Sequence, residues 1–477
     1  MSSAFLISTY ELGHQPFGLA SPAAWLRRDG IDVTLVDLTK DTLDASSVAE
    51  AGLVAFHLPM HTATRLAAPV IRRVRAANAS ARICAYGLYA PLNAEWLRSI
   101  GVTDVIGGEF EEELAAIARQ ACRTAERPEH SVPGLKTRPT SGESKTRPAS
   151  VLPRLQFLVP DRRGLPALAR YASLRMGDGS RRVVGYTEAS RGCRHLCRHC
   201  PIVPVYEGQF RVVASDVVLA DVGAQVSAGA EHITFGDPDF FNGPTHAVRV
   251  VKALHDAHPA LTYDVTIKVE HLLKHCDLLP VLCETGCLFV TSAVESLDDQ
   301  VLALLEKGHT RQAFFDVVAL CREARLTLAP TFVPFHPWTT VEGYCDLLDT
   351  LARLDLVDHV APIQLAIRLL VPQGSRLLEL ENMRRRLGAF DPTTLTYKWD
   401  HADPRVDALQ HDVAATVGRR LVSDRRTVFE EITTLAHERA GLPRVIVERT
   451  SEAPAVPYRD EPWYCCAEPN PDQLTLV

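Results

Sequence analysis

Three cysteines crowded onto one short loop constrain this chain more than any other feature. Cys193, Cys197 and Cys200 lie in the stretch Ser190-Arg191-Gly192-Cys193-Arg194-His195-Leu196-Cys197-Arg198-His199-Cys200-Pro201. The stretch directly follows an apolar run, Val183 to Tyr186, that reads as a buried strand. Soft thiolates at C-x3-C-x2-C spacing can converge on one metal centre, either zinc or an iron–sulfur cluster. A closed structural zinc site needs a fourth ligand, and His195 and His199 stand near enough in sequence to be considered. The alternative is a [4Fe–4S] cluster with one iron left open for a substrate or cofactor.

Bulk properties narrow the setting. A length of 477 residues suggests roughly three domains. The net charge of −7 gives no electrostatic case for nucleic acid as a partner. No apolar run is long enough to span a bilayer, and Met1 to Tyr10 lacks the basic start of a secretory signal. The twelve cysteines are too dispersed for a disulfide-stapled scaffold, so a reducing cytoplasm is expected. Cys276, Cys283, Cys287, Cys321 and Cys345 lie singly in apolar contexts and read as small buried hydrophobes.

Upstream of the cysteines, short apolar runs at 4–8, 33–36, 53–57, 82–85 and 104–106 alternate with helical patterns at 20–28, 64–78 and 92–99. That alternation predicts a parallel, doubly wound, flavodoxin-like α/β sheet over 1–123, binding ligands outside the carboxyl ends of its strands. Residues 124–152 carry Lys136-Thr137-Arg138-Pro139 and its near-repeat Lys145-Thr146-Arg147-Pro148 with few apolar residues, and read as a tether. Strands are again expected at 183–186, 232–235, 262–268, 287–293, 326–333 and 363–369, within a unit spanning 153–375. From 376 to 477 the pattern becomes helical and charged, and it closes on Cys465-Cys466-Ala467-Glu468-Pro469.

The cysteine spacing after a first strand resembles the radical S-adenosylmethionine (SAM) superfamily. The resemblance implies a partial (β/α)6 barrel with its active site at the carboxyl mouth, a [4Fe–4S] cluster on Cys193, Cys197 and Cys200, and SAM on the open iron. It also implies SAM contacts residue by residue. His199 replaces the usual aromatic residue against the adenine. Gly236-Asp237-Pro238, with Asp239, stands where a Gly-Gly-Glu-like motif holds the methionyl amino group. Glu295 and Ser296 follow the fourth strand, where a polar residue reaches the ribose or carboxylate. Arg368 can clamp a carboxylate, or form an ordinary ion pair.

The first domain resembles the cobalamin-binding domain that precedes many radical SAM domains, on its element order and its Gly107-Gly108-Glu109-Phe110-Glu111 turn. The D-x-H-x-x-G signature is absent, and His57 and His61 lack its context. Cobalamin without a histidine on cobalt is therefore expected, against the alternative of a domain that binds nothing. The tail resembles that of the CUAEP/CCAEP-tail radical SAM family, in which selenocysteine can replace the second cysteine. This implies reactive, catalytic roles for Cys465 and Cys466. The tail is expected to fold back towards the barrel mouth.

Three functions follow. The first is cobalamin-linked methylation or other radical group transfer on a small molecule, with a reductant such as flavodoxin or ferredoxin. The second is cobalamin-independent radical chemistry on a thiophilic substrate held by Cys465 and Cys466. The third is a cobalamin or metal sensor without turnover.

Overall fold

The computed structural model describes residues 3–123, 155–420, 424–443, 456–461 and 468. The whole of the expected tether, 124–152, and Cys465 and Cys466 lie outside the described residues. None of the described helices is long and apolar enough to cross a membrane.

Five short strands build the first sheet: β1 (Ala4–Ser8), β2 (Val33–Asp37), β3 (Leu53–His57), β4 (Arg82–Tyr86) and β5 (Asp104–Ile106). All pairs are parallel, in the order β2-β1-β3-β4-β5. Every residue of β1 and β3 is buried, because helices cover both faces of such a sheet. The helix His61–Ala77 packs Leu66, Ala67, Val70, Ile71 and Val74 on one face against Ile7, Val54 and Phe56. Helices Phe17–Arg28 and Glu111–Arg123 cover the other face. The strand order reverses between β1 and β3, so their outgoing loops part and leave a crevice at the carboxyl edge.

The second sheet runs β6 (Val184–Thr187), β7 (His232–Phe235), β8 (Thr262–Thr266), β9 (Cys287–Glu295) and β10 (Thr327–Phe332). Its strands are parallel and ordered as in sequence, which gives an open barrel. The strand expected over 363–369 is instead a 3-10 turn, Pro362–Leu365, followed by a single parallel bridge between Phe335 and Arg368. The physical reason is visible at the sheet edge. Phe332 N donates to the Gln364 side chain (3.1 Å), which takes the place of a ladder bond.

The extension is not wholly helical. An antiparallel hairpin, Leu387–Asp391 with Thr396–Trp399, precedes helices Pro404–Arg419 and Arg425–Ala440. Both helices begin earlier than their apolar periodicity suggests, because Asp403 and Asp424 cap them through the backbone N–H groups of Arg405 and Thr427. Val413, Val417, Val428 and Ile432 join the barrel's own core. Near the carboxyl end, Tyr458–Arg459 pairs with Leu174–Arg175 and returns the chain to the barrel.

The two domains meet around one buried cation. Arg191, just before the first cysteine, is 6% exposed and reaches Glu111 (2.6 Å), Glu188 (2.6 Å) and Glu109 (3.5 Å). Its guanidinium also lies over the rings of Phe17, Phe110 and Phe157 at 4.9–5.6 Å. Burial pushes the Glu109 carboxyl up to about 7; Arg191 opposes the rise and Glu111 adds to it. A carboxyl that holds its proton more tightly when folded stabilises the fold at low pH and loses that contribution as pH rises.

Two outcomes follow for unfolding in urea. Arg191→Met strands three carboxylates and should cost ~3–5 kcal/mol. The wild type should lose stability between about pH 4.5 and about pH 7, and Glu109→Gln should flatten that slope.

Candidate active site at the carboxyl end of the second sheet

A short strand, Ser190–Gly192, pairs with Phe210–Val212 and forms the base of the cysteine loop. Gly192 has φ +74°, and a Cβ there would stand 2.4 Å from Gln209 O, so only glycine delivers the chain to Cys193. Asn242 Oδ1 accepts from Arg194 N (3.2 Å), and Arg198 N donates to Leu305 O (3.0 Å). Cys193 and Cys197 are buried and Cys200 is partly so. Burial raises the thiol pKa of Cys193 and pushes that of Cys200 up to about 12, with charge on neighbouring cysteines adding to both. Because charge on one thiolate raises the pKa of the next, a cationic centre shared by all three fits this donor set, as in an iron–sulfur cluster. Lys268 Nζ stands 3.8 Å from Cys197 Sγ.

Four-ligand zinc fits less well. Among the described residues, one group of three ligand atoms converges within 4.8 Å, on Cys193, His195 and Asp239. His195 has both ring nitrogens beside carboxylates, Nε2 at Asp239 (3.3 Å) and Nδ1 at Glu270 (3.6 Å), and His199 turns its Nε2 to Glu295 (3.1 Å), outside that group.

His199 and Glu295 are brought together. Glu295 ends β9 at φ +70° beside a register shift, a strained placement for a residue with a Cβ. Burial pushes its carboxyl up, but Lys307 (3.3 Å) and then His199 outweigh that and hold it at about 2. Ser296 lines a 220 Å³ cavity with Glu295, His336, Trp338 and Thr339. Asp239 sits between His195 and His271 Nδ1 (2.7 Å), which overcome its burial and hold it at about 2.

Three expected contacts point elsewhere. Asp237 turns back to accept from Ser190 Oγ (2.5 Å) and Ala189 N (2.9 Å), bracing the base of the cysteine loop. Burial pushes its carboxyl up to about 7. A Cβ on Gly236 would meet Tyr186 Oη at 1.7 Å, so this glycine answers to the packing of β6. Arg368 is committed to the extension: it pairs with Asp407 (2.7 Å), donates to Trp399 O (2.6 Å) and stacks on that indole at 3.6 Å. Lys268, Lys307 and His271 escaped sequence reasoning. Their one signal is position: Lys268 and Lys307 stand just after a strand and a helix, and His271 lies in the short helix Val269–Lys274 that follows β8.

At the carboxyl edge of the first sheet, His57 Nδ1 lies 2.6 Å from Glu11, and His61 Nε2 lies 3.3 Å from Glu468. Each ring thus has one nitrogen committed to a carboxylate, and the crevice beside them, where the strand order reverses, is the place for a corrin. His14, from the same edge, stacks on Tyr186 at 3.9 Å, so this edge faces the barrel.

Residues 187–349 match the model of the radical SAM superfamily, and residues 4–118 match that of the B12 binding domain. Two curated relatives are tRNA-2-methylthio-N(6)-dimethylallyladenosine synthases. That of Roseiflexus sp. (strain RS-1) is 25% identical over 42% of this chain and 46% of its own. That of Desulfosudis oleivorans is 24% identical over 37% and 40%. The chain thus spans less than half the length of these relatives.

Two solved structures share the fold. The radical SAM methyltransferase TsrM from Kitasatospora setae, with cobalamin and a [4Fe–4S] cluster bound, aligns over 74% of this chain and 71% of its own (TM-score 0.56, 18% identity). The cobalamin-dependent SAM radical enzyme OxsB, with aqua-cobalamin and SAM bound, aligns over 92% and 71% (TM-score 0.69, 14% identity).

Glu295→Gln should leave the buried Lys307 ammonium without a carboxylate, at a cost of ~3–5 kcal/mol in urea unfolding. Adding Lys307→Met should recover most of the loss, and a double-mutant cycle measures the coupling.

Proposed function

We propose that this chain, with a radical SAM match over 187–349 and a B12-binding match over 4–118, is an enzyme that cleaves SAM reductively and transfers a methyl or other radical-derived group to a small molecule. One observation carries this reading. Arg191 ties the cysteine loop directly to the Glu109–Glu111 turn, so the crevice edge of the first sheet faces the mouth of the second. Two cofactor sites on one chain then serve one substrate space.

The residues divide the work. Cys193, Cys197 and Cys200 would hold three irons of a cluster, and Lys268 offers a positive charge beside Cys197. Bound and reduced, a [4Fe–4S] cluster supplies the electron that breaks an S–C bond of SAM, and a corrin supplies a methyl carrier. His199 and Glu295, fixed by Lys307, would orient polar groups of SAM, beside the cavity lined by Ser296 and Trp338. Asp239 accepts a proton-bearing group only in competition with His195 and His271, so its first task is to set the positions of those two rings. The net charge of −7 favours a small molecule over the tRNA named for the curated relatives. A flavodoxin or ferredoxin in the cytoplasm would deliver the electron.

A second reading places the chemistry on a thiophilic substrate held by Cys465 and Cys466. Its support is the position of flanking residues: Glu461 accepts from Tyr10 Oη (2.8 Å), and Glu468 pairs with His61 and with Arg65 (2.6 Å). Both anchors lie at the crevice edge of the first domain rather than inside the barrel.

Anaerobic reconstitution with SAM, with and without cobalamin, tests these readings. Dithionite-reduced wild type should release a SAM fragment detectable by mass spectrometry, and Cys197→Ala should release none. Cobalt absorbance retained through gel filtration supports the first reading over the second. A reduced wild type that leaves SAM intact favours a sensor and removes both.

A further inference from the structure

A partly open cavity of about 780 Å³ lies between the barrel strands and the returning chain, ample for a small metabolite. One wall is the inner face of β8–β10, with Asp264, Thr291 and Thr331. The other is the returning chain at Val456–Glu461, together with Arg425.

Two guanidiniums on this second wall lack an acidic partner among the described residues. Arg459 makes no salt bridge there, and its Nη1 is buried without a hydrogen-bond partner. Arg425 is partly buried, donates to the backbone carbonyl of Asp358 (2.9 Å) and lies over the Tyr458 ring at 4.5 Å.

The nearby acids are already committed. Asp460 takes Arg175, Arg181 (3.0 Å) and Ser173 Oγ (2.6 Å). Asp358 takes Arg426 (2.7 Å), and Glu461 accepts from Tyr10. Asp264 faces His232 (2.9 Å) and Thr234 (2.7 Å), and Asp424 caps its own helix. On the side of the first domain, Arg459 meets a neutral neighbour. Burial, then the charge of Arg459, pulls His14 down to about 3, and that ring lies flat on Tyr186. Tyr186 sits at the end of β6, a few residues before the cysteine loop.

An unpaired guanidinium in such a place is costly unless a ligand completes it, and its planar fork matches a two-oxygen anion. We propose that Arg459, with Arg425, recognises an anionic group on the barrel's substrate, a carboxylate or a phosphoryl oxyanion. The inference deepens the reading above and rests on it for the word substrate. It makes the chain's own carboxyl-terminal return a wall of specificity.

Calorimetric titration of the full, cluster-reconstituted chain tests it, with succinate and inorganic phosphate as separate probes. Saturating SAM is present throughout, so that the cofactor's own carboxylate is accounted for. At least one probe should bind saturably, and which one does separates carboxylate from phosphoryl recognition. Arg459→Gln should weaken that binding at least tenfold, Arg459→Lys less so, and Arg425→Gln should give an intermediate loss from a different element. Iron content and circular dichroism check that each variant is folded. No saturable binding of either probe, or equal binding by the wild type and both glutamine variants, overturns the inference. SAM cleavage by the same wild-type preparation tests the enzyme reading separately, so the two can fail independently.

Discussion

A single arginine, buried between two domains and surrounded by three glutamates, is the contact on which the rest of this structure depends. Arg191 belongs to the cysteine loop, yet two of its three carboxylates, Glu109 and Glu111, come from the last turn of the other domain. A buried charge of this kind adds little net stability over an apolar contact of the same shape, but losing one partner is expensive. Its effect is therefore on geometry. The loop that would carry a cluster, braced on its own side by Asp237 and Asn242, is thereby tied to the carboxyl edge of the first sheet.

The remaining interdomain contacts elaborate the same arrangement. Arg162 reaches Asp221, Gln15 and the carbonyl of Tyr186, and His14 stacks on that tyrosine's ring. Near the carboxyl end, Glu461 and Glu468 land on Tyr10 and on His61 with Arg65, at the edge where the strand order reverses. Both domains and the chain's return thus converge on one space. Arg459 of the cationic wall lies on the same returning segment as Glu461.

Much of this was legible in the sequence. Strands buried on both faces show as apolar runs, which is why all five strands of the first sheet and five of the second could be located in advance. The cysteine loop announced itself by spacing alone. What spacing cannot say is where a polar side chain turns. Asp237 stands beside Asp239 in sequence, but one braces the backbone at Ala189 while the other faces two imidazoles. Arg368 was taken up by Trp399 and Asp407, from a segment more than thirty residues away. The sixth strand gives way to a 3-10 turn whose Gln364 side chain accepts from Phe332 N. Lys307 follows a short helix, Asp299–Leu304, with nothing in its local sequence to mark it; its burial beside Glu295 exists only in the assembled barrel.

The central claim is that two cofactor sites on this chain open onto one shared space. Pulsed electron paramagnetic resonance on protein loaded with both cob(II)alamin and a reduced [4Fe–4S] cluster tests it most directly. The account predicts a resolved dipolar coupling between the cobalt and cluster spins, lost or broadened when Arg191 is replaced. Spectra that equal the sum of the two singly loaded samples would contradict it.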